Sequence, residues 1–210
     1  MFLKHLFGRK NGGEQPKAPP SEPEPCGLLL SPFDPAETEA LVPAFERRLK
    51  AELPEQYRTF LRKYNGGETP NTRFRIGEVA SDLRALYGLG AAAPRYHFDQ
   101  LGKSRILRQG MLLIGENAWG DHIALKLSGE GAGGVYFLYH DRTPRTFLPL
   151  TEDFAGFLAR CESNPLHVRT LEERRASLRA QGREPTPEIE ELWEQEIRRL
   201  SGLHPEPVVL

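Results

Sequence analysis

His122 and His140 each stand beside an aspartate, Asp121 and Asp141. Two imidazoles and two carboxylates form a donor set that suits a divalent metal ion, and such an ion could drive a small hydrolase. They meet only if the segments around them pair end to end, and no H-x-x-x-H or paired C-x-x-C supplies a register of its own. Polar residues at strand ends are ordinarily solvated, so neither metal nor cofactor is expected. Gly102-Lys103-Ser104 ends like a phosphate-cradling loop, but the glycine required five positions earlier is His97 and no apolar strand leads in. Gly129 to Gly134 has no helix after it whose N-terminus would hold a phosphate. Nucleophilic catalysis lacks its G-x-S-x-G elbow, and neither Cys26 nor Cys161 sits in a Cys-His setting. The carboxylates are scattered and nothing pairs an acid with a base, so the chain reads as a non-enzyme. Trp119, in the N-A-W-G-D run, has two readings of equal weight: an exposed anchor for a partner, or a cap on one end of the core.

These residues have to be positioned by two blocks of pattern. In Leu53–Glu68, Pro54 opens a helix, Glu55 favours its positive end, and Tyr57, Phe60, Leu61 and Tyr64 recur at helical spacing. Asn65, Gly66 and Gly67 stop it, because a left-handed residue is cheap for Asn and Gly. In Ile114–Asp141 the period changes to two, with Ile123, Leu125 and Leu127 on one strand and Val135, Phe137 and Tyr139 on the next. The glycine-rich run Ser128–Gly134 between them suits a hairpin, and antiparallel pairing follows.

Taken in order, the LPEQYRTFL helix, the NGG stop, the Ile114-Gly115 strand end, and the GDHIALKL and GGVYF strands resemble the SUKH superfamily of Smi/Knr-like domains. The resemblance spans roughly residues 37–161, one domain's worth of chain. It implies an α+β fold with helices packed on a central, mainly antiparallel sheet. It also implies a non-catalytic role, in bacteria as an immunity protein that binds and neutralises a cognate toxin. The candidate partner-binding residues are then Trp119, Asp121, His122 and Asp141. Asn65, Gly66, Gly67 and Gly120 are turn residues, and the Gly120-Asp121 pair matches the family pattern, which favours a structural role for it.

Composition narrows the remaining choices. The chain has 210 residues and a formal net charge of -1, which gives no basic footprint for nucleic acid. Two cysteines do not make a disulfide framework. The run MFLKHLF is too short for a signal peptide, and no segment approaches the roughly 20 apolar residues of a membrane helix. A soluble, cytoplasmic protein is expected. Weak surface association of the amphipathic head (Phe2, Leu3, Leu6, Phe7) with anionic membrane is a lesser expectation.

Three segments are expected: residues 1–27 as a flexible leader and proline-rich linker, 28–161 as the domain, and 162–210 as a charged helical extension. A helix should begin at Asp34-Pro35 with Glu37 completing the cap, and break or kink near Pro43. Arg73–Glu78 reads as a short strand, Ser81–Tyr87 as a short helix, Met111–Ile114 as a buried strand, and Arg145–Leu148 as a further strand. Thr151 should cap a helix with Phe154, Phe157, Leu158 and Cys161 on its apolar face. Thr170 with Glu173 forms a capping box, and Thr186-Pro187-Glu188 opens a last helix carrying Ile189, Leu192, Trp193, Ile197 and Leu200. That last face packs on its own domain or docks on a partner, the latter making the chain a scaffold or adaptor.

Overall fold

The computed structural model describes residues 27–93, 95–98, 106–107, 110–144 and 146–210. The amphipathic head, the linker with Cys26, and Gly102-Lys103-Ser104 lie outside the described residues. In chain order the elements are β1 (Leu29–Pro32), α1 (Thr38–Leu49), α2 (Glu55–Tyr64), β2 (Gly67–Ile76), β3 (Val79–Leu86), β4 (Ile106–Leu107), β5 (Met111–Glu116), β6 (His122–Lys126), β7 (Val135–Leu138), β8 (Phe147–Thr151), α3 (Phe154–Leu158), β9 (Cys161–Ser163), α4 (Leu171–Arg179), α5 (Pro187–Ser201) and β10 (Glu206–Pro207).

The class is α+β. The strands run β10-β1-β2-β3-β5-β6-β7-β8, with β4 on β5 and β9 on β2, and each of these pairings is antiparallel. β6 and β7 form the expected hairpin, with Ile123 opposite Phe137 and Leu125 opposite Val135. Strands four steps apart in a flat sheet would lie roughly 19 Å from each other. Yet the rings of Phe74 on β2 and Phe137 on β7 have centroids only 6.2 Å apart, so the sheet curls around its core. The curl is possible because β3 meets β5 only at Ala85 and Leu86, which leaves the first part of β3 without a paired strand on that side among the described residues. Both ends of the strand order are short and carry a proline, Pro149 in β8 and Pro207 in β10.

Inside the curl, α2 and α3 supply Tyr57, Phe60, Phe154 and Phe157, all buried. Phe154 meets Tyr57 and Phe60 edge-on, with centroids at 5.0 and 5.2 Å, a favourable arrangement for aromatic quadrupoles. α2 ends where the Asn-Gly-Gly stop requires. Asn65 has φ 53° and its amide donates to the Leu61 carbonyl. The Asn65 side chain donates to the carbonyls of Asp34 (2.9 Å) and Leu89 (3.0 Å) and accepts from the Leu89 amide. One residue thus ends a helix and fastens three segments.

Three local expectations are corrected. Ser81–Tyr87 is no helix: Leu83, Leu86 and Tyr87 have helical spacing, but the segment pairs along β2 as β3. α1 begins at Thr38, not Asp34, whose carboxylate instead accepts from the Ala36 amide in a local turn, and the helix continues through Pro43. Asp153, not Thr151, caps α3 by accepting from the Gly156 amide, and Cys161 lies on β9 beyond that helix. The Thr170–Glu173 capping box and the Thr186 cap of α5 form as expected.

The C-terminal segment returns to the domain. β10 pairs with β1, the Val208 amide donates to the Leu28 carbonyl, and Val209 exchanges hydrogen bonds with the Tyr64 hydroxyl. Arg199 on α5 pairs with Glu68 on β2. α4 and α5 are joined by Arg175–Glu190 and Arg174–Glu196, both 2.6 Å, yet neither helix has a buried residue.

Candidate partner-binding site

The β5–β6 connection, Asn117 to Asp121, is held by side chains rather than by strand pairing. Asn117 is 3% exposed. Its Oδ1 accepts from the amides of Trp119 (2.9 Å) and Asp121 (2.8 Å), and its Nδ2 donates to Asp121 Oδ2 and Ser81 Oγ, both 3.0 Å. Every side-chain hydrogen-bonding direction that an amide offers is therefore well used. Asp82 Oδ2 accepts from the Ala118 amide at 2.9 Å, which ties the turn to β3. Gly120 closes it with φ 89°, a conformation glycine adopts without strain.

Asp121 connects this turn to the segment after β7. It is 8% exposed, and its Oδ1 accepts from the His140 amide (3.0 Å) and from His140 Nδ1 (2.8 Å). Burial alone would raise the Asp121 carboxyl pKa. Hydrogen bonds from the His140 ring, the His140 amide and Asn117 outweigh it and hold the pKa below the ordinary value.

Trp119, at the tip of this braced turn, is 78% exposed and does not cap the core. Asp141, the residue after His140, is exposed, and Arg142 is seated over the Tyr139 ring at 3.6 Å. His122, the residue after Asp121, opens β6 opposite Leu138 and Glu116.

The metal arrangement of two histidines does not form. Asp121, His140 and Asp141 each bring one ligand atom to within 4.8 Å of the others, a spacing at which a divalent ion could be held. Both Asp121 oxygens are already engaged, however, Oδ2 by Asn117 of the turn and Oδ1 by His140, so binding an ion would compete with the bonds that hold these segments together. For nucleophilic chemistry, burial pushes the Cys161 thiol up to about 12 and its Sγ faces the Phe157 carbonyl. Such a thiol remains protonated and unreactive near neutrality.

Asn117 was not singled out from sequence, although an Asn followed two residues later by an exposed position and then by Gly-Asp is an Asx-turn signal. Ser81 and Asp82 were hidden by the helical reading of their segment. Among the described residues, no helix is long and apolar enough to cross a membrane.

A family model described as SMI1 / KNR4 family (SUKH-1) matches residues 36–160. No curated protein and no solved structure matches the chain.

Proposed function

Because the chain belongs to the SMI1 / KNR4 family (SUKH-1), we propose that it is a non-catalytic protein-binding module, and that it serves as an immunity protein that neutralises a cognate bacterial toxin. The observation that carries this reading is the exposed indole of Trp119 on a turn whose backbone is already fixed by Asn117, Asp82 and Asp121. A pre-ordered aromatic anchor loses little freedom on docking, and exposed indoles of this kind dominate interface energies. Asp141, whose carboxylate comes within 4.8 Å of that of Asp121, serves as a polar rim residue, His122 flanks the strand end, and Asp121 acts from beneath by holding the turn. Residues 28–161 form the binding domain and 162–210 an extension.

The test is affinity capture of the tagged full chain from its native lysate, run beside Trp119→Ala. A stoichiometric partner that is toxic alone, harmless with this protein, and captured at least about tenfold less by W119A is the expected outcome. Undiminished capture by W119A removes Trp119 from the interface, and absence of any captured protein overturns the reading.

A second reading, a scaffold or adaptor, is favoured by α5. Leu192 is 63% exposed and Trp193 is only half-buried, so this helix keeps an apolar residue toward solvent. Several non-toxic partners lost on Leu192→Glu, and retained by W119A, would select it.

A further inference from the structure

The outward face of β2 carries its charges in transverse rows set by strand register. In one row Arg73 lies opposite Glu162 of β9 on one side and Asp82 of β3 on the other. Arg73 Nε approaches Glu162 Oε2 to 3.8 Å. That row is therefore acid, base, acid.

The next row lacks acids. Arg75 lies opposite Ala80 of β3. Arg160 immediately precedes Cys161, whose partner is Phe74; Arg160 is the turn residue before β9, with its amide donating to the Phe157 carbonyl, and it lines the same depression as Arg75. Both arginines line one open depression of about 700 Å³, with Ala80 and Ser81 on its far side and Glu162 at the neighbouring row. Both are exposed, and neither makes an ion pair among the described residues; Arg160 also borders a second depression that holds Glu152 and Asp153. Like charges on neighbouring segments of a sheet repel, and Arg75 has Ala80 opposite it where Arg73 has acids on both sides.

The geometry points to this row as a binding surface for an acidic, carboxylate-bearing segment of a protein partner, with Arg75 and Arg160 as the receiving groups. The inference rests on the protein-binding reading and names the chemistry of its partner. The neighbouring row supplies the reason for choosing carboxylate: on the same face, the chain sets the Glu162 carboxylate 3.8 Å from Arg73. An arginine fork matches a carboxylate in two parallel hydrogen bonds.

The surface is continuous with the Trp119 turn. Asp82 of the balanced row accepts from the Ala118 amide, and Ser81 of the depression accepts from Asn117. A partner that seats against Trp119 thus reaches the arginine row across the width of β3, with an apolar contact at one end and a carboxylate contact at the other.

The test titrates the full chain into a fluorescein-labelled decapeptide of alternating Glu and Ser, at low ionic strength, followed by anisotropy. Saturable binding is expected, absent for the Gln-Ser peptide. It should weaken at least about tenfold in Arg75→Gln/Arg160→Gln, which loses two charge-assisted contacts. Arg183→Gln, on the exposed connection before α5, should bind as the parent does. Binding should fall between about 0.01 and 0.15 M salt as the screening length shrinks from roughly 30 to 8 Å. The double variant removes only exposed groups, so its thermal midpoint should equal or exceed the parent's.

Equal binding by the parent and the double variant overturns the proposal. Displacement by inorganic phosphate at lower concentration than by unlabelled Glu-Ser peptide overturns the choice of carboxylate. Tenfold tighter binding in Glu22→Gln/Glu24→Gln assigns the row to this chain's own acids and overturns the assignment to a partner. Failure of the lysate capture with the peptide result intact would sink the protein-partner reading while leaving the anion surface. A captured partner indifferent to R75Q/R160Q would do the reverse.

Discussion

At the scale of single residues, Asp121 governs the candidate site without being its contact surface. Its carboxylate receives three side-chain or backbone donors, and these act through its negative charge. The folded-state pKa is lowered, so the linked stability is fully present above the unfolded value of about 3.9 and is lost as pH falls through and below it. Asp121→Asn should therefore cost about 1–3 kcal/mol at pH 7, where charged hydrogen bonds are exchanged for neutral ones. The difference between variant and parent should shrink toward pH 3. Urea midpoints at the two pH values measure both quantities, and a constant difference would show that the charge of Asp121 is irrelevant. Asp121 itself was readable from the Gly-Asp pair. Its partner Asn117 and its connection to His140 required knowing that two turns distant in sequence share one end of the sheet.

At the scale of elements, sequence spoke clearly where a local rule and the tertiary structure agree. α2 has a proline start, an apolar face and an Asn-Gly-Gly stop, and all three consequences appear. β6 and β7 alternate, and a glycine loop joins them. β3 was illegible because its apolar residues fit a helical period as well as a strand, and pairing with β2 decided the matter. The arginine rows were illegible for the same reason, since rows exist only once register does.

The stop after α2 also supports a graded prediction. Gly66 and Gly129 both have φ 79°. A Cβ on Gly66 would stand 2.6 Å from the Leu86 carbonyl oxygen, whereas one on Gly129 would meet nothing within 4 Å. Gly129→Ala should cost about 1–2 kcal/mol from backbone conformation alone. Gly66→Ala adds a clash with backbone that cannot rotate away, and should cost on the order of 3 kcal/mol or more. Urea denaturation of the two variants measures the gap, and equal losses would mean that β3 yields to accommodate the methyl.

At the scale of the whole molecule, the chain is a curled sheet with a buried aromatic core and a less deeply anchored helical pair. No residue of α4 or α5 is buried, while β5 has five buried residues in succession. Segments with few buried apolar contacts open locally at free energies well below global unfolding. Amides of α4 and α5 should accordingly exchange with deuterium far sooner than those of β2, β5 and β6, by mass-resolved hydrogen exchange. Glu68→Gln, which removes the carboxylate facing Arg199, should speed α5 further and leave β5 unchanged. Protection of α5 equal to that of β5 would show that the helical pair and the sheet unfold together.

The prolines at the two ends of the strand order bear on how this protein behaves in a crowded solution. A sheet whose outermost strand is long and regular invites another chain to continue it, and from there a fibre. Here the last strands are five and two residues long, and each contains a residue with no amide hydrogen to offer. Growth by strand addition is discouraged at both ends, and beside the first part of β3, which has no second paired strand among the described residues, lies the Asn117–Asp121 turn, tied there through the Ala118 amide and Asp82. Recognition is left to side chains on the faces and turns, and concentrated protein should remain free of fibrillar aggregates while staying open to a partner.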